Sequence, residues 1–156
     1  MDARLDLYTT AVAGSFTKHI NAAGAVITGS TLPTATQELV KIRASQINGC
    51  AGCLDMHTKD AEHNGETSQR INLVAAWREA PVFTEAERAA LELTEQGTRI
   101  ADGGSVYDDA WAKAARHFDD DQLGALVGLI ALINLYNRLS VITRQPAGDY
   151  TPGQWG

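Results

Sequence analysis

Helical periodicity runs through almost all of this 156-residue chain, and it limits the possible folds more than any other feature. Apolar residues recur at spacings of three and four positions, whereas the alternating pattern of β-strands is almost absent. The length suits one domain that can bury a core of its own. We therefore predict an all-α fold, a single-domain helical bundle of about six to eight helices.

Local signals divide this pattern into helices. Pro33 suits a helix start, Gly65 suits the position after a helix end, and Thr84 to Glu87 has the form of a capping box. The predicted helical segments are 5–16, 18–28, 33–47, 50–64, 67–77, 84–100, 106–118 and 123–143, with a loop at 102–105. We expect the domain to occupy residues 1–145 and an irregular tail to occupy residues 146–156.

Composition excludes several classes of partner. The net charge is −6 and no basic block occurs, so nucleic acid is not expected to bind. No uninterrupted apolar run reaches the roughly 18 residues of a membrane-spanning helix. The segment 123–143 is nevertheless apolar almost all round, which predicts a helix buried on all sides or placed in a subunit interface. The charged amino end does not resemble a secretory signal, so we expect a cytoplasmic protein without a membrane partner.

Both cysteines of the chain lie in one Cys-x-x-Cys pair, Cys50 and Cys53. His57 follows Cys53 by four residues, and Glu38 precedes Cys50 by twelve. In a helix that begins near Cys50, Cys53 and His57 share one face, and Cys50 lies at the end where the helix dipole favours a thiolate. Because Asn48-Gly49 is a turn signal, we expect the preceding helix to fold back and bring Glu38 over the thiols.

Two other interpretations of the cysteine pair are weaker. Zinc would need His57 with His63 or Glu62 as further ligands, and the sequence offers no second pair at the usual spacing. Two cysteines that only fill space would leave the neighbouring Glu38 and His57 unexplained. Redox chemistry accounts for all four residues. A thiolate attacks a peroxide and becomes a sulfenic acid, a second thiol condenses with it, and an imidazole with a carboxylate moves the proton.

These residues resemble the Glu…Cys-x-x-Cys-x-x-x-His pattern of the alkyl hydroperoxidase D-like proteins in the carboxymuconolactone decarboxylase family. The similarity covers roughly residues 8–143 and is clearest in the segments 38–50, 57–61, 77–81, 87–91 and 137–139. It implies that Cys53 is the peroxidatic thiol, that Cys50 is the resolving thiol, and that Glu38 and His57 form a proton relay. Gly52 departs from the pattern, because the best-studied members have a histidine between the cysteines.

The resemblance implies a thiol-dependent peroxidase or disulfide reductase that needs no cofactor and no metal. Its substrates would be a hydroperoxide and a dithiol or protein reductant, and it would assemble as a homotrimer or homohexamer. The alternative is a non-catalytic oligomeric module whose cysteines respond to the redox state. A lactone decarboxylase activity ranks lower, because members with that activity generally lack the cysteine pair.

Overall fold

Eight α-helices and one 3₁₀ turn make up residues 2–154, the part of the chain that this computed structural model describes, and no strand occurs there. The all-α, single-domain fold predicted from the periodicity is confirmed. The helices are α1 (Ala11–Thr28), α2 (Thr34–Asn48), α3 (Ala51–His63), α4 (Ser68–Leu73), α5 (Glu85–Thr98), α6 (Ile100–Gly103), α7 (Asp108–Ala115) and α8 (Asp120–Thr143), and the 3₁₀ turn is Val74–Ala76.

Helix α2 lies at the centre of the bundle, where it packs against α3, α5 and α8. Val40 on one side of α2 joins an apolar cluster that includes Leu126 of α8. Leu39 and Ile42 on another side join a second cluster around Trp77. Apolar side chains therefore hold α2 from two directions, and the polar groups that it carries are fixed in place.

The connection from α2 to α3 is a tight turn, as the sequence predicts. Gly49 ends α2 in the left-handed region at φ 66° and ψ 33°, a conformation that glycine adopts without a Cβ penalty. Cys50 follows at once as the N-cap of α3. Because only two residues separate the helices, α3 folds back along α2 and its first turn is fixed relative to Glu38.

Helix α8 is long and apolar enough to cross a membrane by length and composition alone. In the fold it serves as a core helix, with Leu126, Leu129 and Ile133 buried against its neighbours. Asp119 and Gln122 form a capping box at its start, so Asp119 acts as the N-cap. A single helix of this composition is weak evidence for a membrane, because buried helices share it.

Several predicted boundaries are wrong. Segments 5–16 and 18–28 form one helix that begins only after Thr10, whose hydroxyl caps it by accepting the N–H of Ala13. The predicted loop at 102–105 is partly helical, because α6 adds a turn that ends where Gly104 takes φ 85°. Helix α7 is shorter than 106–118, and segment 67–77 divides into α4 and the 3₁₀ turn. In the expected tail, residues 155–156 lie outside the described residues.

Apolar side chains remain uncovered on the outer helices. On α1, Val12 and Val26 are 82% and 75% exposed, and Phe16 lies on the same face at helical spacing. On α8, Val141 and Ile142 are also exposed. Exposed apolar side chains that repeat along one helix face commonly mark a contact with another chain.

We predict that these faces are covered in a homotrimer or homohexamer. Light scattering at micromolar concentration should give a mass of at least three chains, and a monodisperse monomer would contradict the prediction. The double variant Val12→Asp/Val26→Asp should lower the mass, because a buried unpaired charge opposes association. Lys18→Asp changes the net charge by the same amount outside this face and should leave the mass unchanged.

Candidate active site

The two cysteines form a disulfide at the amino end of α3, with their Cα atoms 5.4 Å apart. Sγ of Cys50 accepts the backbone N–H of Cys53 at 3.3 Å and so caps the helix. Both residues are buried, at 1% and 6% exposure. The Cys-x-x-Cys spacing therefore places two sulfur atoms where they can form and break a bond within one helical turn.

Glu38 on α2 and His57 on α3 are joined directly. Oε2 of Glu38 lies 3.1 Å from Nδ1 of His57, and Oε1 accepts a hydrogen bond from Nζ of Lys41 at 2.7 Å. Since an ionised carboxylate only accepts, Nδ1 donates in this pair and Nε2 of the neutral ring is left as an acceptor. Sequence reasoning predicted the first contact and missed Lys41, although it lies three residues after Glu38 on the same helix.

The environment of Glu38 keeps it ionised. Burial raises the pKa of this carboxyl, but the hydrogen bond and charge of His57, followed by the charge and hydrogen bond of Lys41, lower it. The net result is a pKa below the ordinary value of 4.5. Glu38 is therefore an anion at neutral pH and can orient the imidazole and stabilise its protonated form.

The four residues predicted from the sequence all lie at the contact of α2 and α3, but the structure joins them as two pairs. Among residues 2–154, His57 makes no hydrogen bond to the sulfur of Cys50 or Cys53 in the disulfide form. A disulfide has no proton to give, so a thiol–imidazole contact belongs to the reduced state. The roles assigned to the two thiols stay predictions.

A second acidic residue, Asp60, extends the pair. Donor atoms of Glu38, His57 and Asp60 all lie within 4.8 Å of one another, a donor set that could hold a divalent cation. The chain already provides partners there, since Lys41 binds Glu38 and the hydroxyl of Tyr150 donates to Oδ1 of Asp60 at 2.7 Å. We therefore interpret the cluster as a hydrogen-bonded proton-handling group. Asp60 was missed, although its position three residues after His57 places it on the same side of α3.

The additional ligands of the zinc alternative lie elsewhere. Glu62 accepts a hydrogen bond from Ser68 at 2.8 Å, and His63 is exposed at the end of α3. Neither residue belongs to the cluster of Glu38, His57 and Asp60. The geometry gives no support to a site built from these residues and the cysteines.

Two openings reach the site from the surface. A cavity of about 380 Å³ lies beside Cys50, between the start of α3 and the end of α8, and Val141 and Arg144 line it. A smaller cavity of about 140 Å³ lies between the first turns of α2 and the end of α3, and Glu38 lines it. A small molecule could therefore approach Cys50 from the larger cavity, and Glu38 from the smaller one.

Comparison with known proteins identifies relatives of this arrangement. The model of the carboxymuconolactone decarboxylase family matches residues 14–96, which is more than half of the chain. The uncharacterized protein YdfG of Bacillus subtilis is 46% identical over 112 residues, which cover 72% of this chain and 76% of that protein. The matched family region contains Glu38, both cysteines and His57.

Solved structures extend the likeness to three dimensions. A protein of unknown function from Agrobacterium tumefaciens, described as a candidate antioxidant defence protein AhpD, superposes with a TM-score of 0.88 at 36% identity. The match covers 96% of this chain and 100% of that one. The debrominase Bmp8, solved with 2,3,4-tribromopyrrole, has a TM-score of 0.77 at 15% identity over 87% of this chain and 72% of its own. At that identity the likeness concerns the fold alone.

The depressed pKa of Glu38 predicts a specific dependence of stability on pH. A lowered pKa stabilises the folded state above the ordinary value of 4.5, and that contribution is lost as the pH falls through the lower folded value. Glu38→Gln removes this titration, so the variant should lose less free energy of unfolding than wild type between about pH 5 and about pH 3.

Urea denaturation at a series of pH values measures this slope. The matched control is Glu85→Gln, because the Glu85 side chain is 83% exposed and should leave the wild-type slope unchanged. Parallel curves for wild type and Glu38→Gln would contradict the prediction, whatever the difference in their absolute stability.

Proposed function

Because the chain belongs to the carboxymuconolactone decarboxylase family as an AhpD-like member, we propose that it is a thiol-dependent peroxidase that reduces hydroperoxides through Cys50 and Cys53. The observation that carries the proposal is the buried Cys50–Cys53 disulfide, at the start of the helix whose His57 is bonded to Glu38. A cysteine pair that can cycle between dithiol and disulfide, together with a proton-transfer pair at the same contact of α2 and α3, is what this chemistry requires.

The reaction begins with both thiols reduced. His57 takes the proton of Cys53, and the thiolate attacks one oxygen of the hydroperoxide. A sulfur–oxygen bond forms as the oxygen–oxygen bond breaks, so sulfur loses two electrons and the peroxide gains them. The leaving alkoxide takes the proton from His57 and departs as an alcohol, and Cys53 remains as a sulfenic acid.

Cys50 completes the cycle from within the same turn. Its thiol attacks the sulfur of the sulfenic acid, the hydroxyl group leaves with the thiol proton as water, and the disulfide forms. An external dithiol or protein reductant then attacks the disulfide and returns both cysteines to thiols while it is itself oxidised. The second thiol also protects Cys53 from further oxidation. We place this cycle in the cytoplasm, where thiol reductants are maintained.

Glu38 acts through His57. Its anion accepts a hydrogen bond from Nδ1–H of His57. This bond fixes the tautomer in which Nε2 is free to accept a proton from a thiol. The same anion stabilises the imidazolium that exists between the two proton transfers. Lys41 holds the other oxygen of Glu38, so the carboxylate is kept in one orientation.

The two thiols are expected to behave differently when either is replaced. Cys53→Ser should lose the reaction with hydroperoxide, because the sulfur four residues before His57 is gone. Cys50→Ser should still react once and leave a sulfenic acid on Cys53 that a trapping reagent labels. The mass of the intact protein, measured after one equivalent of peroxide, distinguishes the two outcomes.

Trapping on Cys50 of the Cys53→Ser variant at the wild-type rate would reverse the assignment. A wild-type protein oxidised only once despite a supplied dithiol would favour the redox-responsive module.

The proton relay is tested by His57→Gln. The rate of Cys53 oxidation should fall by about 10²-fold or more, the usual contribution of a positioned general base. His63→Gln is the matched control, because it alters an exposed histidine of the same helix. Stopped-flow measurement of sulfenic acid formation provides the rate. Equal rates for the two variants would remove His57 from the mechanism.

A further inference from the structure

Beyond the catalytic pair, residues 146–150 form a strap that runs along α3. Nζ of Lys59 donates to the carbonyl oxygens of Gly148 and Tyr150 at 3.0 and 2.9 Å. The N–H of Gly148 donates to Oδ2 of Asp55 at 2.9 Å, and Asp55 and Lys59 form an ion pair at 2.8 Å. The strap is therefore bound through its backbone to one face of α3.

The strap begins against the cysteine turn itself. A Cβ atom built on Gly52 would lie 3.2 Å from the carbonyl oxygen of Pro146, closer than nearly all real contacts of that kind. The strap therefore approaches α3 closely at the one residue between Cys50 and Cys53 that has no side chain. From there it leads toward the carboxyl end of α3.

Tyr150 ends the strap beside the relay. Its hydroxyl donates to Oδ1 of Asp60 at 2.7 Å. Burial, then the hydrogen bond and charge of Asp60, raise the pKa of Tyr150 to about 12, and the charge of Glu38 adds to the rise. The hydroxyl of Tyr150 therefore stays protonated at neutral pH and acts as a donor.

We propose that Tyr150 is a positioning residue of the peroxidase reaction, acting by occupying Asp60 so that this carboxylate does not compete with Glu38 for His57. The inference rests on the proposed function. A carboxylate oxygen of Asp60 and one of Glu38 each lie within 4.8 Å of a ring nitrogen of His57, and both groups are acceptors when ionised. A carboxylate without a donor in a partly buried site gains substantially by taking one, and His57 has a ring nitrogen within 4.8 Å of Asp60.

The hydroxyl of Tyr150, from a distant part of the chain, supplies the donor for Asp60. With Asp60 satisfied, His57 keeps Nδ1 on Glu38 and Nε2 available to Cys53. Without the hydroxyl, the imidazole divides its hydrogen bond between two carboxylates and turns away from the thiol. The strap is held on α3 by Lys59 and Asp55, and it keeps the ring of Tyr150 in place. The choice of Glu38 as the partner of His57 therefore depends on residues that lie more than ninety positions after Asp55 in the chain.

A rescue experiment separates positioning from simple anchoring. Tyr150→Phe should slow oxidation of Cys53 by cumene hydroperoxide by about 10-fold or more, since misplacing a catalytic group by an ångström costs up to about 10²-fold. Tyr150→Phe/Asp60→Ala should regain most of that rate, because the competing carboxylate is gone. Tyr107→Phe is the matched control, an exposed tyrosine whose hydroxyl makes no hydrogen bond in the described structure.

Two results would overturn the proposal. One is a wild-type rate for Tyr150→Phe, and the other is a double variant as slow as the single one, which is expected if Tyr150 only anchors the strap. Alkylation of reduced Cys53 by iodoacetamide, followed by mass spectrometry, gives a second reading in the same variants. It needs no hydroperoxide, so it tests the positioning of His57 even if wild type proves not to be a peroxidase.

Discussion

The hydrogen bond between Glu38 and His57 is the contact on which the site depends. Glu38 is 6% exposed, and a buried carboxylate is costly unless both of its oxygens have partners. His57 and Lys41 supply those partners. The contact exists only because apolar packing fixes α2 from two directions and the two-residue turn at Gly49 folds α3 back along it. The segment from α2 through the turn at Gly49 to α3 therefore determines both the centre of the fold and the geometry of the site.

Features encoded locally could be predicted from the sequence. The helical periodicity, the capping box at Thr84 and the glycine at Gly49 each act within a few residues, and they gave the all-α class and most helices correctly. The spacing of Cys53 and His57 predicted a shared helix for the same reason. The errors occur where local signals conflict. The first helix was predicted as two segments, 5–16 and 18–28, although the cap at Thr10 sets its start, and the glycines at 103 and 104 favoured a loop where α6 adds a helical turn.

Contacts between distant segments could not be predicted in this way. The hydrogen bond from Tyr150 to Asp60 spans 90 residues, and the composition of the tail indicates only irregular structure. Asp55 and Lys59 resemble an ordinary surface ion pair on a helix until the strap is placed against them. Their role depends on where residues 146–150 lie along α3, which neither periodicity nor spacing specifies. The sequence therefore predicted the four central residues of the candidate site, but it did not predict Asp60 or the strap that borders them.

Gly52 is the residue of the cysteine turn that lies against the strap. The family resemblance led us to expect a histidine at this position, and its absence looked like the loss of a relay group. In the fold, a side chain at residue 52 and the strap compete for the same space, because a Cβ there would meet the carbonyl oxygen of Pro146 at 3.2 Å. A side chain at residue 52 would therefore require Pro146 in the strap to shift by a few tenths of an ångström. The absence of a side chain at Gly52 lets the strap lie against α3 at this depth, and from there the strap carries Tyr150 to Asp60 from a distant part of the chain.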